Sequence, residues 1–236
     1  MGKKKLLDET YFVTKRVGRA VHEAAMLPDG CTALVAVSGG PCSLALLQAL
    51  LARERRVPTT AHFVAGYVPD GVHGDDRQTI EALTRICDGW RIPLHVASAC
   101  SDPDVHFKAT PHQTELLKIA GQVGASVIAL GQTMDDRALL VLLSVVRSGL
   151  LDEVPVVDRH SSGVTFVRPL CHLTQEAVLN MARAEGFDYR LAIVEHPDRA
   201  VHELLLAHLG KKRGQLIEKL RNLSISPENV NPDYLA

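Results

Sequence analysis

An α/β fold is what three observations in this sequence predict: a doubly wound, mainly parallel sheet with an N-terminal helix and a C-terminal helical extension. Short β-type runs alternate with longer segments of helical period from Thr32 to Leu130, the pattern of strands joined by crossover helices. The first run, Ala33–Val37, breaks into Ser38-Gly39-Gly40-Pro41-Cys42-Ser43 and then a Leu/Ala-rich pattern, which reads as strand, tight glycine loop and helix. A later run, Val127-Ile128-Ala129-Leu130, is apolar throughout and leads into Gly131-Gln132-Thr133-Met134-Asp135-Asp136.

The elements follow in order. Leu6–Met26 places Leu7, Tyr11, Val13, Val17, Ala20, Val21, Ala24 and Ala25 close to helical spacing, with Lys15, Arg16 and Arg19 on another face. Pro28-Asp29-Gly30 stops it. Strand one spans Thr32–Val37, and the helix after the glycine loop runs to Arg56, its last turn rich in cations. Thr59–Val64 is the second strand, Gly66–Gly74 a loop, Asp75–Asp88 a helix and Pro93–Ser98 the third strand. Gln113–Val123 is a helix ended by Gly124, Ser126–Leu130 the fourth strand, and Arg137–Val146 an apolar helix. Val154–Val157 and Val164–Val167 are short strands around a Ser161-Ser162-Gly163 turn. Thr174 caps a helix that Gly186 ends. Two further helices, His196–Leu209 and Gly214–Leu223, precede an extended tail. The segments are 1–30, 31–190 and 191–236, packed as one compact domain.

Right-handed crossovers put the carboxyl ends of parallel strands on one edge, where such sheets bind ligands. Ser38–Ser43, the loop from Cys100 and Gly131–Asp136 all fall there. At the first of these, backbone N–H groups and a helix N-terminus converge, which suits a phosphate or another anion. His62, His73, His106 and His112 fall in or near loops of the same edge.

Composition narrows the partners. A net charge of −1 excludes a globally basic nucleic-acid binder. Local basic clusters remain, Lys3, Lys4, Lys5, Lys15, Arg16 and Arg19 at one end and Lys211, Lys212, Arg213, Lys219 and Arg221 at the other. The five cysteines are scattered without a C-x-x-C pair, so reduced thiols in the cytoplasm are expected. No apolar run is long enough to span a membrane.

With Ser38-Gly39-Gly40-x-x-Ser43 closing strand one, the chain resembles the PP-loop, or N-type ATP pyrophosphatase, superfamily, whose signature is S-G-G-x-D-S. Within it the chain is most similar to the tRNA 2-thiocytidine biosynthesis proteins, with the tRNA-lysidine synthetases second. The basic N-terminal helix, Leu130-Gly131-Gln132-Thr133-Met134-Asp135-Asp136, Val167-Arg168-Pro169-Leu170 and the tail Asn229–Leu235 carry the likeness. The resemblance implies an adenine nucleotide alpha hydrolase-like fold and ATP as cofactor, with tRNA, a sulfur donor and a second copy of the chain as partners. It implies adenylation of a tRNA base oxygen with pyrophosphate release, then sulfur transfer. It implies nucleotide binding by Ser38, Gly39, Gly40, Ser43, Gly131 and Arg168, catalysis by Asp136 and the residue at Cys42, and Mg²⁺ held by Asp135 and Asp136.

Several positions depart from the family pattern. The motif aspartate is Cys42, and a thiol does not replace a hard oxygen ligand for Mg²⁺. Both family C-x-x-C pairs are missing, so an iron–sulfur cluster is not expected. The histidine after Leu130-Gly131 is Gln132. Three readings stand open for Cys42: a small hydrophobe facing the core, a thiolate activated at a helix N-terminus, or the mark of lost metal chemistry. The corresponding alternatives for function are a catalytically degenerate nucleotide- or RNA-binding relative and a repurposed enzyme using Cys42 as nucleophile. Cys42, Cys100 and Cys171 each follow a strand-like segment and form a candidate joint thiol site.

Overall fold

The structure, a computed structural model, describes residues 3–57, 60–69, 76–98, 110–148 and 154–186. The two C-terminal helices, the tail, Cys100, His73 and His106 lie outside the described residues. The chain forms two compact units, Met1–Thr133 with Pro155–Glu195, and Met134–Val154 with His196–Ala236.

The first unit carries α1 (Lys3–Glu23), β1 (Thr32–Ala36), α2 (Pro41–Glu54), β2 (His62–Tyr67), α3 (Asp76–Trp90), β3 (Leu94–Val96), α4 (Thr110–Val123), β4 (Val127–Ala129), β5 (Val157–Arg159), β6 (Thr165–Val167) and, after the sheet is complete, a last helix Gln175–Ala184. The second unit contributes α5 (Met134–Ser148); the Gln175–Ala184 helix is therefore α6.

The strands form one sheet in the order β3-β2-β1-β4-β6-β5. β1 is parallel to both β2 and β4, β3 to β2, and β6 to β4, while β5 closes the edge antiparallel to β6. The parallel sheet predicted from the alternation is thus present. Its period of two sorts side chains between two cores. Ala33, Val35, Ala65, Val127, Ala129 and Val167 join residues of α1, α2, α3 and α6 on one face. Leu34, Val64, Ile128 and Phe166 meet Leu116, Ile119 and Ala120 of α4 on the other.

α1 belongs to the first core. Val13, Val17, Ala20 and Val21 recur at helical spacing and are 0–2% exposed, each valine contributing roughly 1.5–3 kcal/mol on burial. The Thr174 hydroxyl oxygen caps α6 by accepting the Ala177 N–H at 3.2 Å, worth about 1 kcal/mol.

Several boundaries differ from expectation by two or three residues, and three of them bear on the site. β2 continues through Gly66 to Tyr67, because the missing side chain leaves room for Leu34: a Cβ on Gly66 would stand 2.8 Å from Leu34 Cδ1. α5 opens at Met134, so Asp135 and Asp136 form its first turn instead of a preceding loop, where carboxylates complement the helix dipole. β5 begins at Val157, where the strand was expected to end. His62 stands opposite Thr32 at the amino ends of β2 and β1, so it is removed from the carboxyl edge on which it was expected.

Candidate functional site

The loop after β1 is built by its own residues. Val37 still pairs with the sheet, its N–H donating to Gly66 O at 2.9 Å. Gly39 then takes φ +78, a left-handed conformation that an L side chain resists. Gly40 is the N-cap of α2, extended and offering no side-chain cap, and Pro41 starts the helix. Proline fits there because that N–H has no helical partner in any case.

Two hydroxyls lace the turn. The Ser38 N–H donates to Ser43 Oγ at 3.1 Å, and Ser43 Oγ donates to Gly40 O at 2.9 Å. The two hydroxyl oxygens lie 3.3 Å apart, and the Gly40 N–H donates to Ser38 Oγ at 3.3 Å. A helix N-terminus without a side-chain cap thus follows a serine-braced turn, a geometry suited to an anion.

The loop after β4 comes up against this turn. A Cβ on Gly131 would stand 3.0 Å from Ser43 Cα and 3.1 Å from Ser43 N. The contact is backbone to backbone, so any side chain here would require the Ser43 backbone to give way by a few tenths of an ångström. β1 and β4 are adjacent while β2 leaves β1 on the other side; this is the switch point at which open parallel sheets bind ligands.

Arg168 follows β6 directly and is 5% exposed. Its Nε donates to Gln132 Oε1 at 2.7 Å and its Nη1 to Pro155 O at 2.6 Å. It therefore joins the loop after β4 to the approach to β5. Sequence reasoning registered Gln132 only as a departure from a family histidine; the pairing spans 36 positions and rests on the burial of Arg168, which only the fold creates. Tyr67 at the end of β2 was also missed. Its hydroxyl donates to Asp76 Oδ1 at 2.7 Å at the start of α3, and Thr79, one turn on, packs its methyl where a Gly39 Cβ would lie.

The structure therefore brings together Ser38, Gly39, Gly40, Ser43 and Gly131, and places Arg168 on Gln132. Asp135 and Asp136 sit in the first turn of α5, in the second unit, with Asp135 buried. Cys42 is half-buried and packs against the main core, and Cys171 is inside it. Cys100 lies outside the described residues, so the thiol trio is not assembled among them. Burial pushes the Cys31 thiol up and the Cys87 thiol up to about 11, which keeps both protonated and unreactive.

Segment 38–43 holds no carboxylate, and no group of three His, Cys, Asp or Glu suited to a metal exists among the described residues. The loop's donors, two hydroxyls and a thiol, do not fit a resident Mg²⁺. No described helix is long and apolar enough to cross a membrane.

A family model described as a PP-loop domain matches residues 13–192. The chain is 28% identical over 185 residues to a tRNA-cytidine(32) 2-sulfurtransferase of Anaeromyxobacter sp. (strain Fw109-5), covering 73% of this chain and 60% of that one. It is 32% identical over 177 residues to a tRNA(Ile)-lysidine synthase of Gloeobacter violaceus, covering 71% of this chain and 50% of that one. The chain thus spans 50–60% of the length of these two relatives. In structure it is similar to the U34-tRNA thiolase NcsA from Methanococcus maripaludis, solved with its 4Fe–4S cluster. The TM-score is 0.70 at 16% identity, covering 96% of this chain and 82% of that one. That neighbour means the fold is no ground for expecting no cluster; the expectation rests on the missing C-x-x-C pairs alone, and iron content decides it. The serine-laced glycine turn, the glycine contact from β4 and the matched span of 13–192 lead to one conclusion: the chain belongs to the PP-loop domain family.

Proposed function

We propose that this chain is the nucleotide-binding part of an ATP-dependent tRNA-modifying enzyme of the thiolation type. The observation that carries this reading is the braced turn Ser38–Ser43 at the uncapped N-terminus of α2, set at the switch point of the sheet. A base carbonyl oxygen of tRNA attacks the α-phosphorus of ATP; the bond to the bridging oxygen breaks and pyrophosphate leaves. A sulfur nucleophile from a donor then attacks the activated carbon, and AMP departs with the former carbonyl oxygen.

In that sequence the positive end of the α2 dipole stabilises the departing pyrophosphate, where negative charge grows, while the Ser38 and Gly40 N–H groups stay bonded to the serine hydroxyls that shape the turn. Ser38 and Ser43 fix the turn. Arg168 acts as a positioning residue, holding Gln132 and with it the loop of Gly131. Asp135 and Asp136 are proposed as oxygen ligands of the cation that travels with ATP; the assignment rests on their place in the Gly131–Asp136 motif. No step is routed through a metal on the turn, whose donors do not fit one.

The thiol of Cys42 favours a second reading, a relative that binds nucleotide without cleaving it. Calorimetric titration with ATP and a pyrophosphate-release assay with tRNA separate the two. ATP binding with release by the native chain supports the first. Release only after Cys42→Asp assigns the second. Absence of ATP and AMP binding overturns both.

A further inference from the structure

α1 presents two faces. One is the valine stripe buried in the core. The other exposes Tyr11 at 52% and Phe12 at 43%, together with the exposed side chains of Lys15 and Arg16 one turn on. Each ring carries a cation. Lys15 Nζ lies 6.0 Å from the Tyr11 centroid, Arg56 Cζ 5.5 Å from the same centroid, and Arg16 Cζ lies 5.5 Å from that of Phe12. Arg56 comes from the residues after α2, so the patch bridges two elements, and Val57 beside it is exposed as well.

Charge selects the occupant. α1 holds six Lys or Arg against three Asp or Glu, within a chain of net charge −1. One of those acids, Glu23, pairs with Arg19 at 2.7 Å, nearly two turns beyond the Arg16 guanidinium. A second copy docked by the same face would set like charges against each other. A bilayer needs the apolar stripe of an amphipathic helix, and that stripe is already buried. Aromatic rings with adjacent cations suit a nucleic acid with unpaired bases, which stack on rings and guanidinium planes while the cations meet phosphates.

We propose that the exposed face of α1, joined by Arg56, is an RNA-docking surface: Lys15, Arg16 and Arg56 hold the phosphate backbone, and Tyr11 and Phe12 stack unpaired bases. This rests on the reading of the chain as tRNA-modifying and assigns the surface that holds the RNA.

The test is fluorescence anisotropy of a labelled RNA hairpin with an unpaired loop, titrated with the full chain across a salt series. Sedimentation and phosphatidylserine-vesicle binding run in parallel, and ATP calorimetry and thermal melting serve as controls. Arg16→Ala with Arg56→Ala is expected to shorten the log-affinity against log-salt slope by about 1.4–1.8, two phosphate contacts. Tyr11→Ala with Phe12→Ala is expected to weaken binding roughly tenfold or more with the slope unchanged. ATP binding and melting should stay as in the native chain. Hairpin binding equal in all variants overturns this surface and leaves the proposed function standing. No hairpin binding by the native chain overturns both the surface and the tRNA reading. Absence of ATP binding with hairpin binding intact overturns the proposed function alone. Loss of vesicle binding or of self-association in the variants, with RNA affinity unchanged, gives the face to a lipid surface or a second copy and overturns the proposal.

Discussion

The loops after β1 and β4 meet at one edge of the sheet, and each depends on a glycine for a different reason. Gly39 needs its residue type because of its own backbone, at φ +78. Gly131 is not among the residues of positive φ; its requirement comes from the backbone of Ser43 and Cys42, which a Cβ would meet at 3.0–3.2 Å. One glycine is demanded locally and the other by a neighbour nearly ninety positions away. The comparison teaches that this edge of the sheet is built in two parts, a turn that shapes itself and a second loop that must be let in.

The largest effect should come from breaking the second part. Gly131→Ala forces backbone against backbone, which no rotamer relieves. A loss of about 3 kcal/mol is expected in urea denaturation, with ATP affinity falling in calorimetry. Retained stability and affinity would show that the two loops can separate at no cost. Next comes the support of that loop. Gln132→Ala leaves the buried Arg168 Nε without its acceptor and should cost about 2 kcal/mol, whereas Gln132→Glu, which keeps an acceptor, should cost much less. Equal losses would mean that Arg168 does not depend on this bond. The smallest effect belongs to the self-shaped turn. Gly39→Ala should cost about 1 kcal/mol from the left-handed backbone, plus a smaller portion from a contact with Thr79 Cγ2 at 3.0 Å. Thr79→Ser, which removes that methyl, should return the contact portion and leave the backbone portion in a double-mutant cycle. Full rescue would place the whole cost in the contact and none in the conformation.

Legibility in the sequence followed the same division. The turn Ser38–Ser43, the α6 cap at Thr174 and the alternation of strands and helices are short-range patterns, and they stand where expected. Gly66 was misread as loop because glycine ordinarily punctuates strands; only Leu34 across the sheet explains why one sits inside β2. Asp135 and Asp136 were expected just ahead of an apolar helix from Arg137; they stand inside its first turn, where carboxylates complement the helix dipole. Gln132 looked like a loss and turned out to be an acceptor for Arg168, a pairing across 36 positions that carries no local signal. Tyr67 and Asp76 are a pair of the same kind.

By itself the sequence determined what depends on near neighbours: period, turn chemistry, capping and the serine-glycine motif, because backbone preference and hydrophobic alternation act within a few residues. Tertiary structure alone decided which loops share the edge, why Gly131 must lack a side chain, what receives the buried charge of Arg168, and that Tyr11 and Phe12 remain on the surface of a helix whose other face is core. Those depend on packing and on satisfying buried polar groups, which act between residues the chain brings together only when it folds.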